Sequence, residues 1–233
     1  MAKTYKVAYK VHLYERLQKV NFQGELTFPI YIQVTFDRKS IIFKSYYFEL
    51  YSKPRFRKIL HDKIYGPQLK EVIKKENSLI DFVIDKNIEH FSLDLFKKEY
   101  DFYCRDVLDL MEEGFIDYLH TYFNDAGLPA FAETVKEGGR LGLINDLIGD
   151  MKTVLKPNIY NELIENSFHY APPYLPLNDF IQLRKKWPLR DFSVMEWQDV
   201  NLKNSFSLHM RKYFKDADIS KLEKEVGTLI SIG

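Results

Sequence analysis

The stretch FPIYIQVTF, residues 28–36, decides how this chain begins to fold. Phe28, Ile30, Ile32, Val34 and Phe36 fall on one parity and Tyr31, Gln33 and Thr35 on the other. That is the period of a strand with one face in a core and the other in water. Upstream, Tyr5, Val7, Tyr9, Val11 and Leu13 alternate with Lys6, Ala8, Lys10, His12 and Tyr14, a second strand of the same kind. The segment NFQGE between them, with Asn21 and Gly24, reads as a turn. Downstream, Asp37, Arg38, Lys39 and Ser40 make a short charged break suited to a hairpin, and IIFKSYYFELY (41–51) gives a third run with aromatics on both parities. A three-stranded antiparallel meander is expected.

Three strands need a cover on their apolar face. Pro54 suits a helix start, with Phe56, Ile59, Leu60 and Ile64 on one side, until Gly66 and Pro67 interrupt it. From about Phe91 the periodicity is helical: Tyr100 to Phe123, then Ile144 to Leu155, then Ile159 to Phe168, with turns at 124–129 and 138–142. APPYLP (171–176) breaks the pattern, and helices follow near 179–187, 194–214 and 219–230, the second capped by Ser193 with Glu196. The expected class is α+β: an N-terminal three-stranded antiparallel sheet with a covering helix, then a mostly α-helical part. The expected divisions are a basic sheet domain over 1–88, a helical domain over 89–170 and a helical extension over 171–233.

A chain of 233 residues that is 45% hydrophobic can build one large core or two modest ones without staples. Its single cysteine, Cys104, excludes an internal disulfide framework and a cysteine-rich zinc site. No apolar signal core opens the sequence and no stretch approaches the roughly 18 apolar residues of a membrane span, so a cytoplasmic protein is expected. The formal net charge of +1 conceals a split. Residues 1–75 carry sixteen Lys and Arg against six Asp and Glu, or +10, and the remaining residues eighteen against twenty-seven, or −9. The two parts therefore face different partners.

The solvent parity of the expected sheet gathers Lys6, Lys10, His12 and Arg16 from the first strand and Tyr31, Gln33 and Thr35 from the second. Arg38 and Lys39 sit at the hairpin tip and Lys44 in the third run. A sheet or ribbon can enter the major groove, where Lys and Arg neutralise phosphates and Gln or Arg can read base edges. The plain alternative is the solvated side of an amphipathic sheet. Other constellations are thin. Glu113, Asp117 and His120 share one side of a helix, but that helix also carries Phe115, Ile116, Leu119 and Phe123, and no metal site is expected. Gly138, Gly139, Arg140 and Gly142 resemble a phosphate loop without its Lys-Ser or Lys-Thr and read as a turn between helices. Cys104 lies in an aromatic-rich helix and reads as core. No catalytic constellation and no cofactor are expected.

The run VHLYERLQKVNFQGELTFPIYIQVTFDRKSIIF (11–43) resembles the arm-type DNA-binding domain that begins many phage and conjugative-transposon tyrosine integrases, at Gly24, Pro29, Ile30, Tyr31, Ile32, Val34, Arg38 and Lys39. Residues 90–100 and the helices to about Leu155 resemble the linker and helical core-binding domain of the same family. The resemblance implies duplex DNA as partner. Recombination is not carried over, because the family's catalytic domain needs an Arg, a Lys, a His-x-x-Arg box and a Tyr nucleophile. After residue 155 only 78 residues remain, His209 and Arg211 are spaced as HxR, and Tyr213 is too close. Two functions are therefore expected as alternatives: a non-enzymatic DNA-binding or accessory protein of a mobile element, or a protein-interaction module whose acidic helical half docks a partner or an identical subunit.

Overall fold

A computed structural model describes residues 6–140, 144–213 and 219–232. Tyr5, the first residue of the expected opening strand, lies outside them. The described chain divides into two compact units, one up to Arg105 and one from Asp106 on.

In the first unit, β1 (Ala8–Leu13), β4 (Ile30–Phe36) and β5 (Lys39–Lys44) form an antiparallel sheet in the order β1-β4-β5. The fold class is α+β, as the alternation predicts. A small hairpin, β2 (Val20–Phe22) with β3 (Glu25–Thr27), is inserted in the first connection at the expected NFQGE turn. Gln23 at φ 53° and Gly24 at φ 88° turn it, and the Asn21 side chain accepts from the Gly24 amide at 3.0 Å. On β4 the residues Ile30, Ile32 and Val34 are wholly buried, and Val11 and Phe43 flank Ile32 in register.

The third strand stops at Lys44. Ser45 accepts from the Phe48 amide at 2.9 Å and so caps α1 (Tyr46–Leu50), where a continued strand was expected. The covering helix is also displaced. Pro54–Phe56 is a single 3-10 turn, and Lys58–Leu60 (β6) pairs with Lys63–Tyr65 (β7) in a second small hairpin, with His61 and Asp62 both at positive φ. Ile59 opposite Ile64 favours strand over helix here, because β-branched residues pack well across a ladder. The cover is α2 (Leu69–Lys86), with Val72, Leu79, Ile80 and Val83 buried, and α3 (Leu93–Tyr103), from which Tyr100 meets Phe43 at 4.9 Å. The division after Arg105 thus differs from the expected one at 88. Residues 91–103 belong with the sheet because Phe36 and Phe43 need aromatic cover.

At the centre of the α2 stripe sits Glu76, with no exposed surface. Its carboxylate accepts from Ser45 Oγ at 2.5 Å, the Tyr47 amide at 3.1 Å and the Tyr100 hydroxyl at 2.9 Å. The Tyr100 oxygen in turn accepts from the Tyr46 amide at 3.1 Å. One side chain joins α2, α3 and the start of α1.

The second unit is helical throughout the described residues: α4 (Asp109–Asp125), α5 (Pro129–Arg140), α6 (Ile144–Val154), α7 (Pro157–Tyr170), α8 (Tyr174–Arg184), α9 (Val194–Trp197), α10 (Val200–Tyr213) and α11 (Ile219–Ile232). The buried Asp106 carboxylate accepts from the amides of Leu108, Asp109 and Phe192 at 2.9, 3.2 and 2.9 Å, which ties the entry of α4 to the segment before α9. Residues 171–233 do not separate as an extension, since Phe115 stacks on Tyr174 at 5.3 Å and Phe180 packs on Phe192 and Phe206. Gly138 and Gly139, expected in a turn, lie inside α5, where a Cβ on Gly139 would stand 2.8 Å from Ile116 Cγ1. Glycine there permits close approach of α4 and α5. Gly142 lies outside the described residues. The capping box expected at Ser193 and Glu196 is present.

Burial pushes the Glu76 carboxyl up from 4.5 to about 7, and the hydrogen bonds from Ser45, Tyr47 and Tyr100 pull it only partly back. The folded chain therefore holds more protons than the unfolded one between those values. Its contribution is fully present below pH 4.5 and is lost as the pH rises to about 7, a change of roughly 3 kcal/mol. Urea unfolding of wild type and Glu76→Gln across this window should show their stability difference shifting by about that amount, and a constant difference would count against the assignment.

Candidate nucleic-acid interface

The register of the sheet fixes which side chains share its outer face. Lys10, Gln33 and Ile42 form one cross-strand row, His12, Tyr31 and Lys44 the next, and Ala8, Thr35 and Ser40 the third. Six of the residues singled out from the sequence thus stand together on the face opposite the core. Lys10, Ser40, Ile42 and Lys44 are exposed, and His12, Tyr31, Gln33 and Thr35 are half-buried among their neighbours. Strands of six to seven residues make this face about 20 Å long.

The other four lie around it. Lys6 is exposed two residues before β1, on the parity of Lys10, and so near the Thr35 end. Arg38 is in the hairpin turn at the same end, with Asp37 at φ 46° and Arg38 at φ 62°. Lys39 pairs with Phe36, so its parity is that of the core face, although it is exposed at the strand's start. Arg16 is exposed in the turn beyond β1, at the opposite end. Cationic side chains therefore mark both ends of the face and its middle.

Local contacts set how free each group is. Tyr14 stacks on Tyr31 at 4.7 Å, and His12 meets Tyr14 edge-on at 6.0 Å, giving a small aromatic platform beside Lys44. His12 Nδ1 is covered and has no hydrogen-bond partner among the described residues. Thr35 Oγ1 and Ser40 Oγ bond each other at 2.7 Å. Lys44 is held by Glu49 at 2.5 Å, which offsets part of its charge. Sequence reasoning missed Ser40 and the half-exposed Ile42, because the run IIFK carries apolar groups on both parities and its facing is fixed only by pairing with Gln33 and Val34.

Charge follows the structural division. The unit up to Arg105 carries twenty Lys and Arg against thirteen Asp and Glu, or +7, and the unit from Asp106 fourteen against twenty, or −6. Part of the positive excess lies on the exposed β6–β7 hairpin, with Arg57, Lys58 and Lys63 beside exposed Ile59 and Leu60.

Of the remaining candidates, Cys104 and His209 occupy packing positions, while Glu113 and Asp117 are exposed on α4. Cys104 is buried, and burial pushes its thiol far up, as expected of a core group. His120 stands 2.9 Å from Glu133, and His209 is buried between the Phe180 and Tyr213 rings, 3.1 Å from Asp179. No group of three metal-ligating side chains occurs among the described residues, and none of their helices is long and apolar enough to cross a membrane. No family model, curated protein or solved structure matches this chain.

A left-handed backbone costs an ordinary residue about 1 kcal/mol and costs glycine almost nothing. Arg38→Gly is therefore expected to raise the melting temperature of the chain, and a lowered one would show that the Arg38 side chain stabilises the hairpin by more than its backbone costs.

Proposed function

We propose that this chain is a non-catalytic DNA-binding or accessory protein related to mobile-element integrases, which contacts duplex DNA through the outer face of the β1-β4-β5 sheet. The observation that carries this reading is the gathering of Lys10, His12, Tyr31, Gln33, Thr35 and Lys44 on one face, with Lys6, Arg38 and Arg16 at its ends. Strand ribbons and sheets can read DNA from within a groove. Lys6, Lys10, Arg16, Arg38 and Lys39 would neutralise phosphates and fix the register. In this reading Gln33, at the middle of the central strand, would meet a base edge, and Ile42, its cross-strand partner, would meet a thymine methyl. The arm-domain resemblance falls on the same strands.

Mobility shift of the full chain with a random-sequence duplex tests it. Binding should fall steeply between about 50 and about 200 mM salt, with a log-log slope of about −4 for four to five phosphate contacts. Lys10→Glu and Arg38→Glu should each weaken it at least tenfold and flatten the slope by about one. No complex at low salt, or equal affinity for both variants and wild type, would remove the proposal.

A protein-docking reading has one observation of its own. Ile59 is 64% exposed, Leu60 53% and Leu26 72%, on hairpins that touch where Ile64 lies against Gly24. Light scattering that shows a stable oligomer, lost in Ile59→Lys and unchanged in Lys10→Glu, would favour it.

A further inference from the structure

Helices α4 and α7 leave a groove of about 790 Å³ between them. On α4 it is lined by Asp117, Thr121 and Asp125, spaced four residues apart on one face, with Tyr118 and Tyr122 beside them. On α7 the facing positions include Ile159, Glu162, Asn166 and Tyr170. Most of the lining is apolar or aromatic, and its only formal charges among the described residues are the three carboxylates. No hydrogen bond or ion pair ties Asp117, Asp125 or Glu162 to a cation among the described residues.

The tyrosine hydroxyls are already committed. Tyr118 donates to the Leu163 carbonyl at 2.5 Å and Tyr122 to the Ile159 carbonyl at 3.3 Å, which fixes the rings in the walls of the groove. Burial, and then the negative charge of Glu162, push the Tyr122 phenol up. A concave, partly apolar wall concentrates such a field. The groove therefore calls for an occupant that is positively charged at intervals and apolar in between.

We propose that this groove binds a linear polyamine. Asp117 and Asp125 are eight residues apart on α4, about 12 Å along the axis, the reach of an extended triamine. Two terminal ammonium groups would lie at these carboxylates, with Glu162 opposite. The methylene stems would lie on the Tyr118 and Tyr122 rings, where cation and ring attract as well. A bare divalent ion would lack the stem, and a monoamine the second charge.

Calorimetric titration of the full chain with spermidine at low salt tests this. The expected result is one-to-one binding, at least tenfold tighter than that of n-butylamine and at least tenfold weaker in Asp117→Asn/Glu162→Gln. Asp150→Asn, an exposed carboxylate outside the groove, should bind as wild type does. Both variants change exposed side chains, and unchanged circular dichroism would confirm that each is folded. No binding at millimolar spermidine, equal binding by the double variant, or displacement by magnesium at equal charge concentration would overturn the assignment. So would binding of an arginine-rich peptide in place of spermidine, which would make the groove a protein-docking site.

Discussion

A carboxylate buried without a cation is the constraint around which the first unit is arranged. Removing Glu76 from water costs several kcal/mol unless hydrogen bonds replace its hydration. The replacements come from three places in the sequence: Ser45 at the end of the sheet, Tyr47 in the helix that follows, and Tyr100 on α3. Two of the donors are themselves fixed by a second bond. Ser45 caps α1, and Tyr100 receives the Tyr46 amide. The exit from β5, the covering helix α2 and the aromatic helix α3 are thereby held in one geometry. With Phe96 and Tyr100 packed on Phe43, and Val72, Leu79 and Ile80 of the covering helix buried, the inner side of the sheet is committed to the core.

This network also explains which parts of the fold were legible. β4 is amphipathic with period two along its length and β1 as far as Val11, so both their existence and their facing could be read from residues alone. The SYYFEL segment could not, because its aromatic residues have high strand propensity and what makes it helical is a serine cap completed by a glutamate 31 residues away. For KILHDKIY the apolar residues satisfy a helical stripe as well as a ladder, and the turn is made by His61-Asp62 in place of the usual glycine pair. Conversely, the capping box at Ser193 and Glu196 is entirely local and stands as read.

The candidate interface divides along the same line. Parity alone identified Lys10, His12, Tyr31, Gln33 and Thr35 as neighbours, because a strand fixes its own alternation. Lys39 is exposed beside the expected hairpin tip, but parity alone could not assign its face, because the two-residue turn at Asp37-Arg38 returns the chain with Lys39 opposite Phe36. The ion pair of Lys44 with Glu49 depends on where α1 begins and so was hidden with it. Charge is partitioned between the units at +7 and −6, which leaves the basic surface and the acidic groove as separate electrostatic features of one chain.

Whether the outer face of β1-β4-β5 is where duplex DNA lies is tested most directly by lysine acetylation footprinting of the full chain, read by mass spectrometry with and without duplex. Lys6 and Lys10 should lose reactivity when DNA is bound, while Lys152 and Lys224, exposed on α6 and α11, keep theirs. Unchanged reactivity at Lys10 in a chain that binds DNA, with protection confined to Lys58 and Lys63 or to the helical unit, would contradict the account.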